Sequence, residues 1–294
     1  MDAEAEIHER DAIGWQRGLY DDVQATFRAP VVNWIFRTAM ANEPGFLRYA
    51  WGQVKPVFGT RAFARLTVEY RDAVLAELEA DGPLPAYGPG DVDLDPAAFR
   101  ELRGQLATYD VVAPRLAVLF ETMDRALQGE PVGQAPASGR AAAAPFPNWL
   151  DRDRGRSPTL LAREAVPDAL ADTVDRIQAF HGFDEALPSI YRTLAQWPPY
   201  LERAWRDVEP RLDTGAFETA CDRTDDLVET FVDETPYRPQ LAPAALDRAG
   251  FDEDTVEDVQ GLFERFATGP VQTVLPALHV LAATVDATGE RDAL

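Results

Sequence analysis

The sequence predicts an all-α protein made of two homologous helical repeats packed as a pseudo-twofold fused dimer. Three observations carry that prediction. Apolar residues recur at threes and fours with acids between them, no clean pair of alternating strands appears, and one long stretch is written twice. The first copy contains Ile35, Arg37-Thr38, Pro44, Phe46-Leu47, Ala50-Trp51, Val54, Pro56, Thr60 and Ala62-Phe63. The second contains Ile190, Arg192-Thr193, Pro198, Tyr200-Leu201, Ala204-Trp205, Val208, Pro210, Thr214 and Ala216-Phe217. Everything from the proline onward aligns without a gap, and Val23-Gln24-Ala25 answers Ile177-Gln178-Ala179 on the N-terminal side. Two diverged halves of this kind are expected to pack like a homodimer fused end to end, and a further homodimer of the whole chain stays open.

The elements follow in order. Trp51 and Trp205, repeated in the frame Ala-Trp-x-x-Val-x-Pro, are expected in the core. Phe63, Leu66, Val68, Tyr70, Val74, Leu75 and Leu78 predict a helix that stops at Asp81-Gly82-Pro83. Asp95-Pro96 reads as a helix start leading to Phe99, Leu102 and Leu106. Leu116, Val118, Leu119, Met123 and Leu127 close the first repeat, residues 1–127. Residues 128–158 are rich in Pro, Gly and Ala and read as a linker in which Phe146 and Trp149 could dock. The second repeat, residues 159–294, has Asp252 or Asp254 as a helix cap and ends on Val274, Leu275, Leu278, Leu281 and Val285.

Composition narrows the setting and the partners. The formal net charge is −22, and Lys55 is the one lysine. An acidic, lysine-poor surface around an ordinary apolar content suggests adaptation to a high-salt cytoplasm, where screening relieves self-repulsion. So negative a chain is repelled by nucleic-acid phosphates and anionic lipid, so neither is expected as a partner. No apolar run is long enough for a membrane span, and the N-terminus lacks a signal peptide's apolar core. Cys221 stands alone beside Asp222, Asp225 and Asp226, which would raise its pKa and argue against a nucleophile.

The usual catalytic motifs are missing. His8, His181 and His279 have no metal-ligand spacing, and no GxSxG, GxGxxG, P-loop or HExxH occurs. Asp91, Asp93 and Asp95 alternate like the start of a calcium loop, but Pro96 stands where the turn glycine belongs and Leu102 where the glutamate belongs. These acids are read as helix caps, and no metal or cofactor is expected. What remains is the region around Arg37 and Arg192. Either arginine could pair with acids of the chain or fork onto a small carboxylate. The unmatched residues at matched positions, Asn33-Trp34 against Pro188-Ser189, are where two copies could divide labour.

The doubled pattern RTxA–P–(F/Y)L–AW–V–P resembles the group I, DehI-type, 2-haloacid dehalogenases over nearly the whole chain outside the linker. The resemblance implies an all-helical pseudo-dimer with its active site in a cleft between the repeats. It also implies cofactor-free hydrolysis in which an aspartate activates water to attack the halogen-bearing carbon directly. The family's carboxylate-holding Trp and Ser fall on Trp34 and Ser189. Asn33, Arg37, Tyr191 and Arg192 complete the candidate binding set for a small carboxylic acid. At the position of the family's catalytic aspartate this chain has Ile190, and the water-positioning asparagine falls near Ala113. Asp110 and Asp184 are close enough in sequence to stand in as a base, and without one the fold would serve as a carboxylate binder.

Overall fold

The computed structural model describes residue 2 and residues 5–133, 155–184, 187–267 and 270–292. Its regular elements are helices, and no strand occurs among the described residues. In chain order they are α1 (Trp15–Phe27), α2 (Trp34–Asn42), α3 (Pro44–Val54), α4 (Arg61–Glu79), α5 (Pro96–Gln128), α6 (Ala171–His181), α7 (Ser189–Leu194), α8 (Pro198–Leu212), α9 (Gly215–Glu234), α10 (Pro243–Ala249), α11 (Glu253–Ala267) and α12 (Pro270–Ala283). Short 3₁₀ turns connect several of them. No described helix is long and apolar enough to cross a membrane.

Local chemistry starts and stops these helices. Asn33 accepts the Ile35 N–H at 3.0 Å and opens α2. Proline in the first turn opens α3 and α8, where its missing N–H costs nothing. Asp95 accepts from the N–H groups of Ala97 (2.7 Å) and Ala98 (2.9 Å) at the start of α5, as its sequence context predicts. Asp252, the first of the two acids considered, accepts from Thr255 N–H at 2.9 Å before α11. Asp91 accepts the Gly88 N–H at 2.7 Å, so that acid and Asp95 are both occupied in local turns.

The two runs read separately in the sequence, Phe99–Leu106 and Leu116–Leu127, are one 33-residue helix, α5. Pro114 lies inside it. A proline there removes one backbone hydrogen bond without ending the helix, because both flanks are held by buried apolar faces. Part of the predicted linker also belongs to the packed structure. The Arg156 N–H donates to Gly104 O at 2.8 Å, and the Thr108 hydroxyl donates back to Arg156 O at 2.8 Å. Gly155 has a φ of 89°, and a Cβ there would lie 2.1 Å from Thr108 Oγ1, so glycine is required. Phe146 and Trp149 lie outside the described residues.

The chain forms two compact units. One comprises Met1–Thr67, Arg115–Arg152 and Leu227–Thr268; the other comprises Val68–Pro114, Asp153–Asp226 and Gly269–Leu294. Each therefore draws on segments from both 1–127 and 159–294. In the first unit Phe27, Phe36 and Phe58 surround the buried Trp51 with ring centroids 5.6–6.2 Å from it. The Trp51 Nε1–H donates to Asp22 at 2.8 Å, and Lys55 pairs with the same carboxylate at 2.6 Å. In the second unit Phe180, His181 and Tyr191 surround the fully buried Trp205 at 5.5–5.8 Å.

Candidate functional site

The candidate residues of the first unit lie at the start of α2. Asn33 is spent on capping that helix, and Trp34 is its half-buried first residue. Arg37 is buried and takes two internal carboxylates, Glu6 at 2.7 Å and Glu9 at 3.9 Å. The N-terminal segment that supplies these acids is tied down further, with the Ile7 N–H on Arg37 O at 3.3 Å and the Tyr20 hydroxyl on Ile7 O at 2.8 Å. Arg37 thus has its charge balanced inside the unit, the ion-pair alternative of the two considered in the sequence.

The second unit carries the Ser189 motif on α7. Six residues are too few to hold a helix alone. Neighbouring side chains fix it. The Tyr109 hydroxyl, from α5, lies 3.3 Å from Ser189 O, to which it donates, and 2.8 Å from Thr193 Oγ1. Arg192 is half-buried and donates from Nε to Leu161 O at 2.8 Å. Tyr191 is fully buried, its hydroxyl 2.6 Å from His181 Nε2. The other ring nitrogen of His181 lies 2.8 Å from Thr273 Oγ1. Burial pushes the Tyr191 pKa well above 10.0 and lowers that of His181 to about 3, so both are neutral at ordinary pH. Ser189 is half-buried, and Ile190, directly after it, is 1% exposed.

The two candidate replacement bases differ sharply. Asp110 is fully buried on α5 and accepts from three N–H groups: Arg71 Nε–H, forked onto both oxygens (3.0 and 2.9 Å), His279 Nδ1 (2.7 Å) and the Gly289 N–H (2.9 Å). Burial alone would raise its pKa, but the Arg71 guanidinium and the His279 bond outweigh that and hold the carboxyl well below its usual range. A carboxylate so tightly satisfied is a poor proton acceptor and a good structural clamp. Arg71 extends the clamp by donating to Glu290 O at 2.6 Å. Gly289 is needed here, because a Cβ would lie 2.7 Å from the guanidinium carbon. Asp184, in contrast, is exposed, just after the end of α6. Ala113, at the expected asparagine position, is buried in α5.

Sequence reasoning passed over Tyr109 and His181, which hold α7. His181 did leave a trace, since its match in the first copy is Phe27. No comparable trace marked Tyr109. Cys221 behaves as its neighbours suggested: burial first, then Asp225, Asp222 and Glu218, push its thiol up to about 12. Among the described residues no group of three or more His, Cys, Asp or Glu could hold a metal ion.

A family model described as halocarboxylic acid dehydrogenase DehI matches residues 30–163. A configuration-inverting 2-haloacid dehalogenase of Alcaligenes xylosoxydans xylosoxydans is 25% identical over 204 residues, 67% of this chain and 65% of that protein's length. An (R)-2-haloacid dehalogenase of Rhizobium sp. (strain NHG3) is 28% identical over 225 residues, 71% of this chain and 79% of that one. In fold, the chain is similar to a D-2-haloacid dehalogenase mutant solved with D-2-CPA, with a TM-score of 0.78 and 18% identity over 95% of this chain and 93% of that one. A D-2-haloacid dehalogenase solved with L-LA gives 0.78 and 19% over 95% and 94%. By sequence over part of its length, and by fold over nearly all of it, the chain is similar to DehI-type 2-haloacid dehalogenases.

Proposed function

We propose that the chain takes small 2-halocarboxylic acids and that its reaction class is cofactor-free hydrolytic dehalogenation. Water would form the new C–O bond at the halogen-bearing carbon as the C–halogen bond breaks, releasing halide and a proton. We propose further that Ile190 leaves this hydrolysis far slower than ligand binding would allow. The relatives' function supports the substrate class, and Ser189 supplies a hydroxyl at the turn that the resemblance assigns to the carboxylate.

The single observation that carries the second part is Ile190 itself, an apolar, buried side chain at the expected base position. An isoleucine cannot accept the proton that water must lose, and a positioned general base is typically worth about 10²–10⁴-fold in rate. Asp110 does not repair the loss, because it is fully buried and held as a carboxylate by Arg71, His279 and Gly289. In this reading the chain is two diverged copies of one helical unit in a high-salt cytoplasm, and it works mainly as a small-carboxylate binder.

Titration calorimetry with 2-chloropropionate in molar KCl tests the binding half. Wild type should bind, and Ser189→Ala should weaken binding. Absence of binding by wild type rejects the reading. Loss of halide release in Asp184→Asn, from a wild type that turns over robustly, would instead assign the base to the exposed Asp184.

A further inference from the structure

The pair around Trp205 makes little sense as a stability device. At the matched positions of the first unit the protein already has the apolar solution, Phe27 and Phe36, whose rings meet edge to face at 5.8 Å. In the second unit the same two positions hold His181 and Tyr191, both buried, with ring centroids 5.5 Å apart. Replacing a well-packed apolar pair by two polar rings gains little, because the new hydrogen bonds mainly restore what desolvation costs.

We infer that His181 and Tyr109 are positioning residues that hold the α7 turn in the geometry that receives the ligand carboxylate. This rests on the small-carboxylate reading given above. The direction of the chain follows from donor and acceptor counting. Tyr191 has one hydroxyl hydrogen, and His181 Nε2 is its hydrogen-bond partner among the described residues. The phenol therefore donates to Nε2, the neutral imidazole keeps its proton on Nδ1, and Nδ1–H donates to Thr273 Oγ1. The chain so formed ties α7 to α6 and α12. Tyr109 grips the same turn through Ser189 O and Thr193, on either side of Tyr191. Ser189 is itself one of the gripped residues, so a shift of the turn moves its hydroxyl directly. Sub-ångström placement of this kind matters more to binding than to folding.

The test transplants the first unit's solution into the second. In the double variant His181→Phe/Tyr191→Phe both members of the buried pair go at once and only the half-buried Thr273 loses a partner, so the melting midpoint should stay close to wild type. The Kd for 2-chloropropionate should rise about tenfold, the loss expected when one hydrogen-bonding group is misplaced. Tyr109→Phe should raise it too. An unchanged Kd in a double variant that melts like wild type overturns the positioning role while leaving the carboxylate reading intact. No binding by wild type overturns both. Nitrogen NMR of the His181 ring gives a readout that does not need the ligand. Protonated Nδ1 and bare Nε2 in wild type, lost in Tyr191→Phe, support the chain; a proton on Nε2 contradicts it. If the double variant fails to fold, the single variant His181→Gln, carrying a side-chain amide in place of the ring, is titrated instead, with the same two outcomes.

Discussion

The rings around Trp51 and those around Trp205 include residues at positions that correspond in sequence, yet they differ in chemistry. Around Trp51 the neighbours are Phe27, Phe36 and Phe58, and the indole N–H ends on Asp22 at 2.8 Å. Around Trp205 the neighbours include His181 and Tyr191, and the indole N–H is buried without a hydrogen-bond partner among the described residues. The reason for that orphan is visible one turn away. Asp22 pairs with Lys55, whereas the matching pair is Arg176 with Glu209, the charges exchanged. Arg176 can only donate, so it cannot accept the Trp205 N–H. The Trp51 cluster is therefore apolar with its indole N–H satisfied, whereas the Trp205 cluster has polar rings and an unsatisfied indole N–H next to the Ser189 turn.

The largest expected effect concerns the clamp beside that polar core. Asp110→Ala should destabilise the protein by about 3–5 kcal/mol, because it strands Arg71 in a site where both side chains are fully buried. Denaturant melts measure this; a loss under about 1 kcal/mol would remove Asp110 from its structural role and reopen it as a base.

Next come the two tyrosine–phenylalanine exchanges at matched positions. Tyr191→Phe alone should cost about 1–3 kcal/mol, since it leaves His181 Nε2 buried without its donor. Phe36→Tyr should cost a similar amount for the mirror reason, a new hydroxyl in an all-apolar ring cluster. Equal, negligible losses would erase the distinction between the two cores. Acid melts sharpen it further. Burial lowers the folded pKa of His181 from 6.5 to about 3. The unfolded chain therefore binds the proton first, and this group's stabilisation is complete above about pH 6.5 and is lost as pH falls toward 3. The double Phe variant should lose less stability than wild type across that window, and parallel profiles would count against a buried neutral His181.

Smaller effects separate the two indoles and test the charge. Trp51→Phe should cost about 1 kcal/mol more than Trp205→Phe, because only the first indole loses a hydrogen bond. The net charge of −22 should make the whole fold melt higher in molar KCl than in dilute buffer. An unchanged or lower midpoint removes the argument for a high-salt setting.

Features set by near neighbours were legible in the sequence. Asp95 and Asp252 cap helices because capping needs only residues two or three positions away. Trp51 and Trp205, expected in the core from the Ala-Trp-x-x-Val-x-Pro frame, are both buried. Features set by distant partners were not legible. The apolar runs on either side of Pro114 read as separate segments, yet α5 runs through it because buried faces on both sides hold it. Arg37 faces Glu6 and Glu9 from the N-terminal segment, a pairing that no spacing rule predicts. The makeup of the two compact units, with segments from both halves, likewise depends on long-range packing. Of the candidate site, Ser189 and Ile190 are named by the resemblance, while the partners that hold their turn, Tyr109 and His181, emerge only from contacts across the fold.

Halide release from 2-chloropropionate by wild type and Ile190→Asp, assayed side by side in molar KCl with melting curves for both, bears most directly on the central claim. A folded Ile190→Asp should release halide far faster than wild type, by up to about 10²–10⁴-fold if the introduced carboxylate acts as a general base. Fast release by wild type, with no gain from the carboxylate, would contradict the account and show that another group activates water.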